Sequence, residues 1–367
     1  MRLANHTQAL YELRFSPMCK PAGEVAYATK LESHTTRSRV MMMWRIAKNI
    51  ITWQKREVEL MYQSTLDSIS EAFDVFHYPV SQYMLDARAD IWDAGLAPEC
   101  VMDAIEGNVF AAEMIPEGTD TLLLAGEIAQ LGDSALLAPM EAALKKVGVT
   151  ARAWLAPTGA HAYALGAREA ATLMAQNVVS QIKNAGVKTV IADGPETAWA
   201  LTKIYPALGV ELPDSISVKL LSSVLADAEH AASPNGETVF VHDSRPACLL
   251  ADQMATNLAV LPGYRENEDA FGLGEVYDAP RRLIDALGHE RVFSTWTRSL
   301  SKSSGADDGL WLTYPDLASK LAEQRLAYAG KFGATTIVSD SPLAVSFLGR
   351  HAGPHGVKVK LLAELVG

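Results

Sequence analysis

The sequence predicts an α/β protein, with a helical N-terminal region followed by two pseudo-symmetric α/β units built on parallel sheets. Three observations carry that expectation. "KTVIADGPETAWAL" at 188–201 is echoed by "TTIVSDSPLAVSFL" at 335–348, with Thr189, Asp193, Pro195 and Leu201 matching Thr336, Asp340, Pro342 and Leu348. Beyond the turn-forming "PEGTD" at 116–120, short β-rich runs alternate with helical stretches, as strands joined by crossover helices require. Before it, residues 40–110 carry apolar side chains at helical spacing.

In order along the chain, "VMMMWRIAKNIITWQ" places Met43, Trp44, Ala47, Ile50 and Ile51 on one helical face, and "SQYMLDARADIWDAGLAP" continues the period. Arg45 and Lys48 interrupt the first stretch. Because Lys and Arg do not dominate its polar side, a core-facing helix is expected there rather than a membrane-surface one. The first α/β unit reads "TLLLAGE", a helix to Val147, "ARAWLA", the helix "AREAATLMAQNVVSQIKNAG", "TVIADG" and the helix "PETAWALTKIY". After the hydrophilic "SPNGE" at 233–237 the order recurs: "TVFVHDS", "APRRLIDALG", "RVFSTW", "YPDLASKLAEQRLAYAGKFG", "TTIVSDS" and "PLAVSFLGRH". "VKVKLLAELV" closes the chain as either a strand or a helix. The expected domains are therefore 1–117, 118–236 and 237–367.

Composition narrows the function. A chain of 367 residues, 49% hydrophobic and 20% charged, can bury a sizeable core. A net charge of −11 argues against binding to nucleic-acid phosphates, and Arg37 and Arg39 are expected to serve structure or docking instead. "MRLANHTQAL" lacks the apolar core of a signal peptide, and no uncharged run reaches the ~20 residues that span a bilayer, so a cytoplasmic protein is expected, with any membrane contact only indirect, through partners. Cys19, Cys100 and Cys248 lie far apart, without disulfide or zinc spacing, and read as small hydrophobes.

Open α/β sheets bind ligands beyond the carboxyl ends of their strands. Those positions are Gly126-Glu127, "APTGAHAYALG" at 156–166 and "DGPET" at 193–197, then "HDSR" at 242–245, "SKSSGADDG" at 301–309 and "DSPLA" at 340–344. With "VYDAPRRLIDALG" at 276–288, the arrangement resembles the paired cysteine-rich (CCG) domains of heterodisulfide reductase catalytic subunits, the glycolate oxidase iron–sulfur subunit and the anaerobic glycerol-3-phosphate dehydrogenase small subunit. In that family Gly-Cys or His-Asp-Pro-Cys, Cys-Cys-Gly and Cys-Pro-x-Cys supply thiolates to iron–sulfur clusters.

The resemblance places the first-half cluster positions at Glu127, Pro157, Thr158, Gly194 and Thr197, and the second-half ones at Arg245, Ser303, Ser304, Ser341 and Ala344. "YQSTLDSISEAFDV" at 62–75 resembles the ferredoxin motif, with Ser64, Asp67, Ser70 and Asp74 in the cysteine positions and Val75 in place of proline. An upstream copy would cover "FSPMCKPAGE", keeping Cys19 as its one thiol, and "TTRSR" at 35–39 resembles the Pro-Arg-Gly-Arg that follows it. The N-terminal region is thus expected to be a degenerate ferredoxin-like domain.

Neutral hydroxyls, Ala, Gly and a guanidinium are poor cluster ligands, so the resemblance implies a member that binds no cluster and no metal. Its expected role is a non-catalytic structural or assembly subunit, docked to a flavoprotein or to a cysteine-complete iron–sulfur paralogue. The alternative is a sensor holding a small organic anion at Arg245, His242 and Asp340; a third reading is an electron-transfer subunit with an unrecognised cofactor.

Other chemistries fit less well. Ser341 follows a strand as a nucleophile does, but "SDSPL" lacks the glycines of G-x-S-x-G. His242 and Asp243 are neighbours on a strand and point to opposite faces, against an acid–base pair. "GLGEV" has no third glycine for a dinucleotide site. Asp307 and Asp308 could bind a hard metal but are expected to be solvated. A buried Arg245 needs compensation, so it is expected to meet Asp340 or Asp243, or else to stay open to an anion. Trp199 and Tyr163 are expected to fill space at the first site.

Overall fold

The computed structural model describes residues 1–16, 22–74, 77–107, 114–132, 134–232, 236–254 and 271–367; Cys19 and Val75 lie outside them. Two four-stranded parallel sheets form the α/β part. The first contains β1 (Thr121–Leu124), β2 (Arg152–Trp154), β3 (Thr189–Ala192) and β4 (Ser217–Leu220), in the spatial order β2-β1-β3-β4. The second contains β5 (Thr238–Val241), β6 (Glu290–Arg291), β7 (Thr336–Ser339) and β8 (Lys358–Leu361), in the order β6-β5-β7-β8. The two orders are the same, so the repeat seen in the sequence is a repeat of topology.

Alternation along the strands divides the core into layers, as the period of two demands. In the first sheet Leu122, Leu124 and Val190 join the cluster shared with the N-terminal helices, whereas Leu123 and Ile191 face the other way. There they meet Val239, Val241 and Val338 of the second sheet, with Met140, Leu225 and Leu283 from flanking helices. Phe240 and Ile337 turn to a third cluster with Leu321, Leu326 and Phe347. The two halves therefore share one apolar layer. Burial on both faces explains why their central strands read as nearly unbroken apolar runs.

The N-terminal helices include Thr36–Ala47, Lys55–Tyr62, Ser68–Phe73 and Val80–Asp93. Thr35 caps the first of them by accepting from the Ser38 N–H. That helix is shorter than the apolar pattern suggests. Asn49 takes a left-handed φ of 56°, which ends the period after Ala47 and leaves Ile50 54% exposed. Three more elements differ from the sequence expectation. β4 and the helix Leu221–Ala226 lie in a stretch with no assigned element. "RVFSTW" contributes only Arg291 to the two-residue strand β6. "VKVKLLAELV" is both alternatives in turn, β8 followed by the helix Leu362–Val366. Among the described residues, no helix is long and apolar enough to cross a membrane.

Candidate functional site

The positions marked by the sequence fall into three polar networks, and the first straddles the two halves. Glu127 lies in the first turn of the helix Gly126–Leu131, fully buried beyond β1. Its Oε1 accepts from the Glu196 N–H at 2.9 Å; its Oε2 accepts from the Ser341 hydroxyl at 2.5 Å and from the Leu343 N–H at 3.2 Å. Glu196 and Leu343 open the helices Pro195–Trp199 and Pro342–His351, whose first N–H groups have no partners within the helix. One carboxyl thus caps a helix from each half. Ser341 caps its own helix as well, accepting from the Ala344 N–H at 3.2 Å, so its hydroxyl is committed to structure.

Close packing completes this network. A Cβ on Gly194 would overlap Glu127 Oε1 and Pro342, and one on Gly126 would overlap Thr158 and Thr197. Asp193 accepts from the Ile128 N–H at 3.1 Å and from the Thr197 hydroxyl at 2.5 Å. Thr158 accepts from the Tyr205 hydroxyl through its carbonyl at 3.1 Å, and Pro157 beside it is buried. Tyr163 and Trp199, both buried, pack edge to face with centroids 6.0 Å apart. Burial raises the Asp193 pKa to about 6, and burial together with the neighbouring Asp193 holds Glu127 well above the usual carboxylate range.

The second network centres on Asp307. It accepts from the Arg245 N–H at 3.1 Å, the Ser303 hydroxyl at 2.5 Å and the Ser304 N–H at 3.2 Å. The Arg245 guanidinium is buried. It donates to the Ser301 carbonyl at 2.6 Å and to the Ser68 hydroxyl, and its Nε has no partner. Glu24 ties this loop to the N-terminal region, accepting from the Ser303 N–H at 2.7 Å and the Thr65 hydroxyl at 2.6 Å.

The third network holds residues 62–74 and the helices around them. Arg39, fully buried, pairs with Asp67 at 3.0 Å and donates to the carbonyls of Leu60, His34 and Gln63. Ser70 bonds Thr36 at 2.7 Å, and Asp74 accepts from Ser16 at 2.6 Å. Arg88, also fully buried, donates to Met61 O at 3.1 Å, Ser64 O at 2.9 Å and Ser64 Oγ at 3.2 Å. It also reaches Ala164 O in the first half at 2.9 Å and Asp308 O in the second at 3.3 Å. One guanidinium therefore joins all three parts of the chain. Arg37, by contrast, lies at the surface with Glu32 at 2.6 Å.

Several sequence expectations are corrected. Arg245 meets neither Asp340 nor Asp243 and is not open to an anion, because its neighbours supply neutral acceptors from the chain itself. Asp243 instead receives the fork of Arg281 at 2.8 and 2.9 Å. Burial works to raise the Asp243 pKa, but the Arg281 guanidinium overrides it and holds the carboxyl at about 2. Asp340 accepts from Ser222 at 3.3 Å, and His242 accepts from Arg325 Nε at 3.0 Å, so the residues proposed to share an anion have separate partners. Ser341 and Ala344 belong with Glu127 rather than with Arg245. Asp307 and Asp308 are not solvated but 4% and 2% exposed.

Glu24, Arg88, Asp307 in its bridging role and Arg281 were not marked by the sequence. Arg88 alone left a signal: it follows Met84 by four residues, within the apolar stripe Tyr83, Met84, Ala87 and Ile91, where a charge must find buried acceptors.

Asp308 gives a pH-dependent prediction. Burial and the adjacent Asp307 raise its pKa to about 7, and its Oδ2 has no partner. A carboxyl raised in the fold contributes stability that is complete below its unfolded pKa near 4 and is lost as pH rises through 7. Asp308→Asn should remove that loss, gaining on the wild type by up to about 4 kcal/mol between pH 4 and pH 8. Asn also suits the left-handed φ of 59° at this position. Urea midpoints of both proteins across that range check it; parallel curves would contradict it.

These donor sets do not fit an iron–sulfur cluster. Thiolates are missing, hydroxyls and carboxylates are bonded within the chain, and guanidinium groups stand among them. Cys248 is buried, its thiol pushed up to about 11 by burial, and Cys100 is half-buried elsewhere. Among the described residues, no three His, Cys, Asp or Glu side chains are grouped to hold a metal ion.

No family model matches the chain, and no curated protein matches it. Among solved structures it is similar to the crystal structure of a hypothetical protein from Helicobacter pylori, with 9% identity over 99% of this chain and 71% of that one and a TM-score of 0.61. At that identity the likeness is one of fold.

Proposed function

We propose that the chain is a cluster-free relative of the CCG-domain iron–sulfur subunits, serving as a non-catalytic structural or assembly subunit of a flavin-linked or heterodisulfide-reductase-like oxidoreductase. On this reading the helical region is a degenerate ferredoxin-like domain and the two sheets are degenerate CCG repeats. One observation supports it most. Among the described residues, every position where the resemblance puts a thiolate is occupied by a side chain or backbone packed into the interior, and those with polar side chains are hydrogen-bonded within the chain. A polar interior of this kind preserves shape after the cofactor's ligands are replaced, and it supplies no redox group. Partners would then be recognised by the outer surfaces, as a flavoprotein or a cysteine-complete paralogue.

Purification of the untagged chain from its native host tests this. A stoichiometric complex with a flavin-containing or iron–sulfur subunit, identified by mass spectrometry and absorption, is the expected result. Recovery of the chain alone at native concentration would contradict it.

A further inference from the structure

The helix Pro315–Gly330 turns one stripe, Leu321, Gln324, Arg325 and Tyr328 at helical spacing, toward the loop 296–303 and the short helix Glu24–Thr29. Between them lies a half-open cavity of about 370 Å³, in the range that encloses a small organic molecule. The charged groups of its wall are engaged by the chain itself. Glu24 accepts from the Ser303 N–H at 2.7 Å and the Thr65 hydroxyl at 2.6 Å. Arg325 donates to His242 Nδ1 at 3.0 Å, the Trp296 carbonyl at 2.9 Å and Ser301 Oγ at 2.9 Å. The Lys302 ammonium donates to the Ala22 carbonyl at 2.8 Å, sits 4.0 Å from the centre of the Trp296 ring and is engaged by further contacts within the chain. What the wall leaves for a ligand is the rings of Tyr27 and Tyr328, the Leu321 side chain and the Gln324 amide. That amide is half-buried and makes no hydrogen bond among the described residues.

We infer that this cavity binds a flat, uncharged aromatic molecule bearing a carboxamide-type edge, with the Gln324 amide as its hydrogen-bonding partner. A side-chain amide presents a donor and an acceptor side by side, so it pairs through two bonds at once with a ligand edge that does the same, as Gln and Asn do with a base edge. The tyrosines favour a ring over an aliphatic body, because aromatic pairs gain from their geometry as well as from buried area. The Tyr328 hydroxyl is within 3.2 Å of Ser294 Oγ and 3.3 Å of Thr295 Oγ1, which leaves its ring as the surface it offers. An ion is the poorer fit. It would give up its hydration beside Glu24, Arg325 and Lys302, which already have partners in the chain, with nothing to offset that cost. The inference stands independently of the proposed subunit role.

Benzamide is the probe, with benzoate and methyl benzoate as controls of similar shape, the first charged and the second without a donor. Millimolar benzamide should bind saturably by calorimetry and raise the melting temperature, whereas both controls should bind at least ~5-fold more weakly. Gln324→Met keeps the length of the side chain and removes the amide, so it should weaken benzamide at least ~5-fold, to the level of methyl benzoate. Ala327→Trp, at an exposed position on the cavity wall, keeps the amide and every charge but fills the space, and should abolish binding. Neither position belongs to the buried core, so both variants should fold. The inference is overturned by absence of saturable benzamide binding, by benzoate binding as tightly, or by benzamide binding that is unchanged in either variant.

Discussion

Arg88→Met is expected to destabilise the protein by at least about 4 kcal/mol, the largest effect of any single substitution in the polar interior. Methionine replaces the aliphatic stem of arginine but not the guanidinium, so the loss comes chiefly from the acceptors left behind. The carbonyls of Ser64, Ala164 and Asp308 lose their donor in surroundings without exposure to water, while that of Met61 keeps the Ser64 hydroxyl at 3.1 Å. Each buried, unmatched carbonyl costs about 1–3 kcal/mol. Because those carbonyls belong to three different parts of the chain, the variant should also loosen the helical region from the two sheets. Arg88→Lys keeps the charge but can satisfy only some of the acceptors and should fall between the two. A urea midpoint within experimental error of the wild type, at unchanged slope, would contradict the role given to Arg88.

Glu127→Ala should cost about 3 kcal/mol, while Glu127→Gln should cost about 1 kcal/mol near neutral pH. Alanine strands the N–H groups of Glu196 and Leu343 and the Ser341 hydroxyl at the contact between the halves. Glutamine keeps an acceptor for Glu196 and a group able to bond Ser341. The small cost follows from the raised pKa: burial and Asp193 favour the neutral acid, which an amide mimics in shape and charge. Equal losses in the two variants would mean that Glu127 is held as a carboxylate, against this account.

Much of the fold was legible because both sheets are covered on two faces. β1, β3, β5 and β7 are compact apolar runs ending at Ala, Asp or His. β4 escaped notice because it is an edge strand whose residues alternate in exposure, with Lys219 in its middle. The repeat exposed the twofold plan, since matched Asp-x-Pro turns can only follow matched strands.

The site was legible in composition but not in pairing. That Glu127, Arg245, Ser303 and Ser341 are interior and polar follows from their places after strands. Which partner each finds does not, because the contacts run across 62 residues from Arg245 to Asp307 and 214 from Glu127 to Ser341. Arg245 illustrates the difficulty: a carboxylate partner was the economical expectation, yet a carbonyl and a hydroxyl suffice, and Asp243 is claimed by Arg281. The charge on Arg88 was visible, but its meaning depended on four carbonyls that no sequence pattern places.

On the proposed function, side chains of this protein occupy the space that cluster thiolates would have used. Iron and acid-labile sulfide analysis of protein produced anaerobically with iron in excess tests it most directly. The account predicts a colourless protein without stoichiometric iron or sulfide, since the hydroxyl, carboxylate and guanidinium groups at these positions are already bonded to one another and to the backbone. A brown preparation with about four irons per chain and broad absorption near ~400 nm would contradict it.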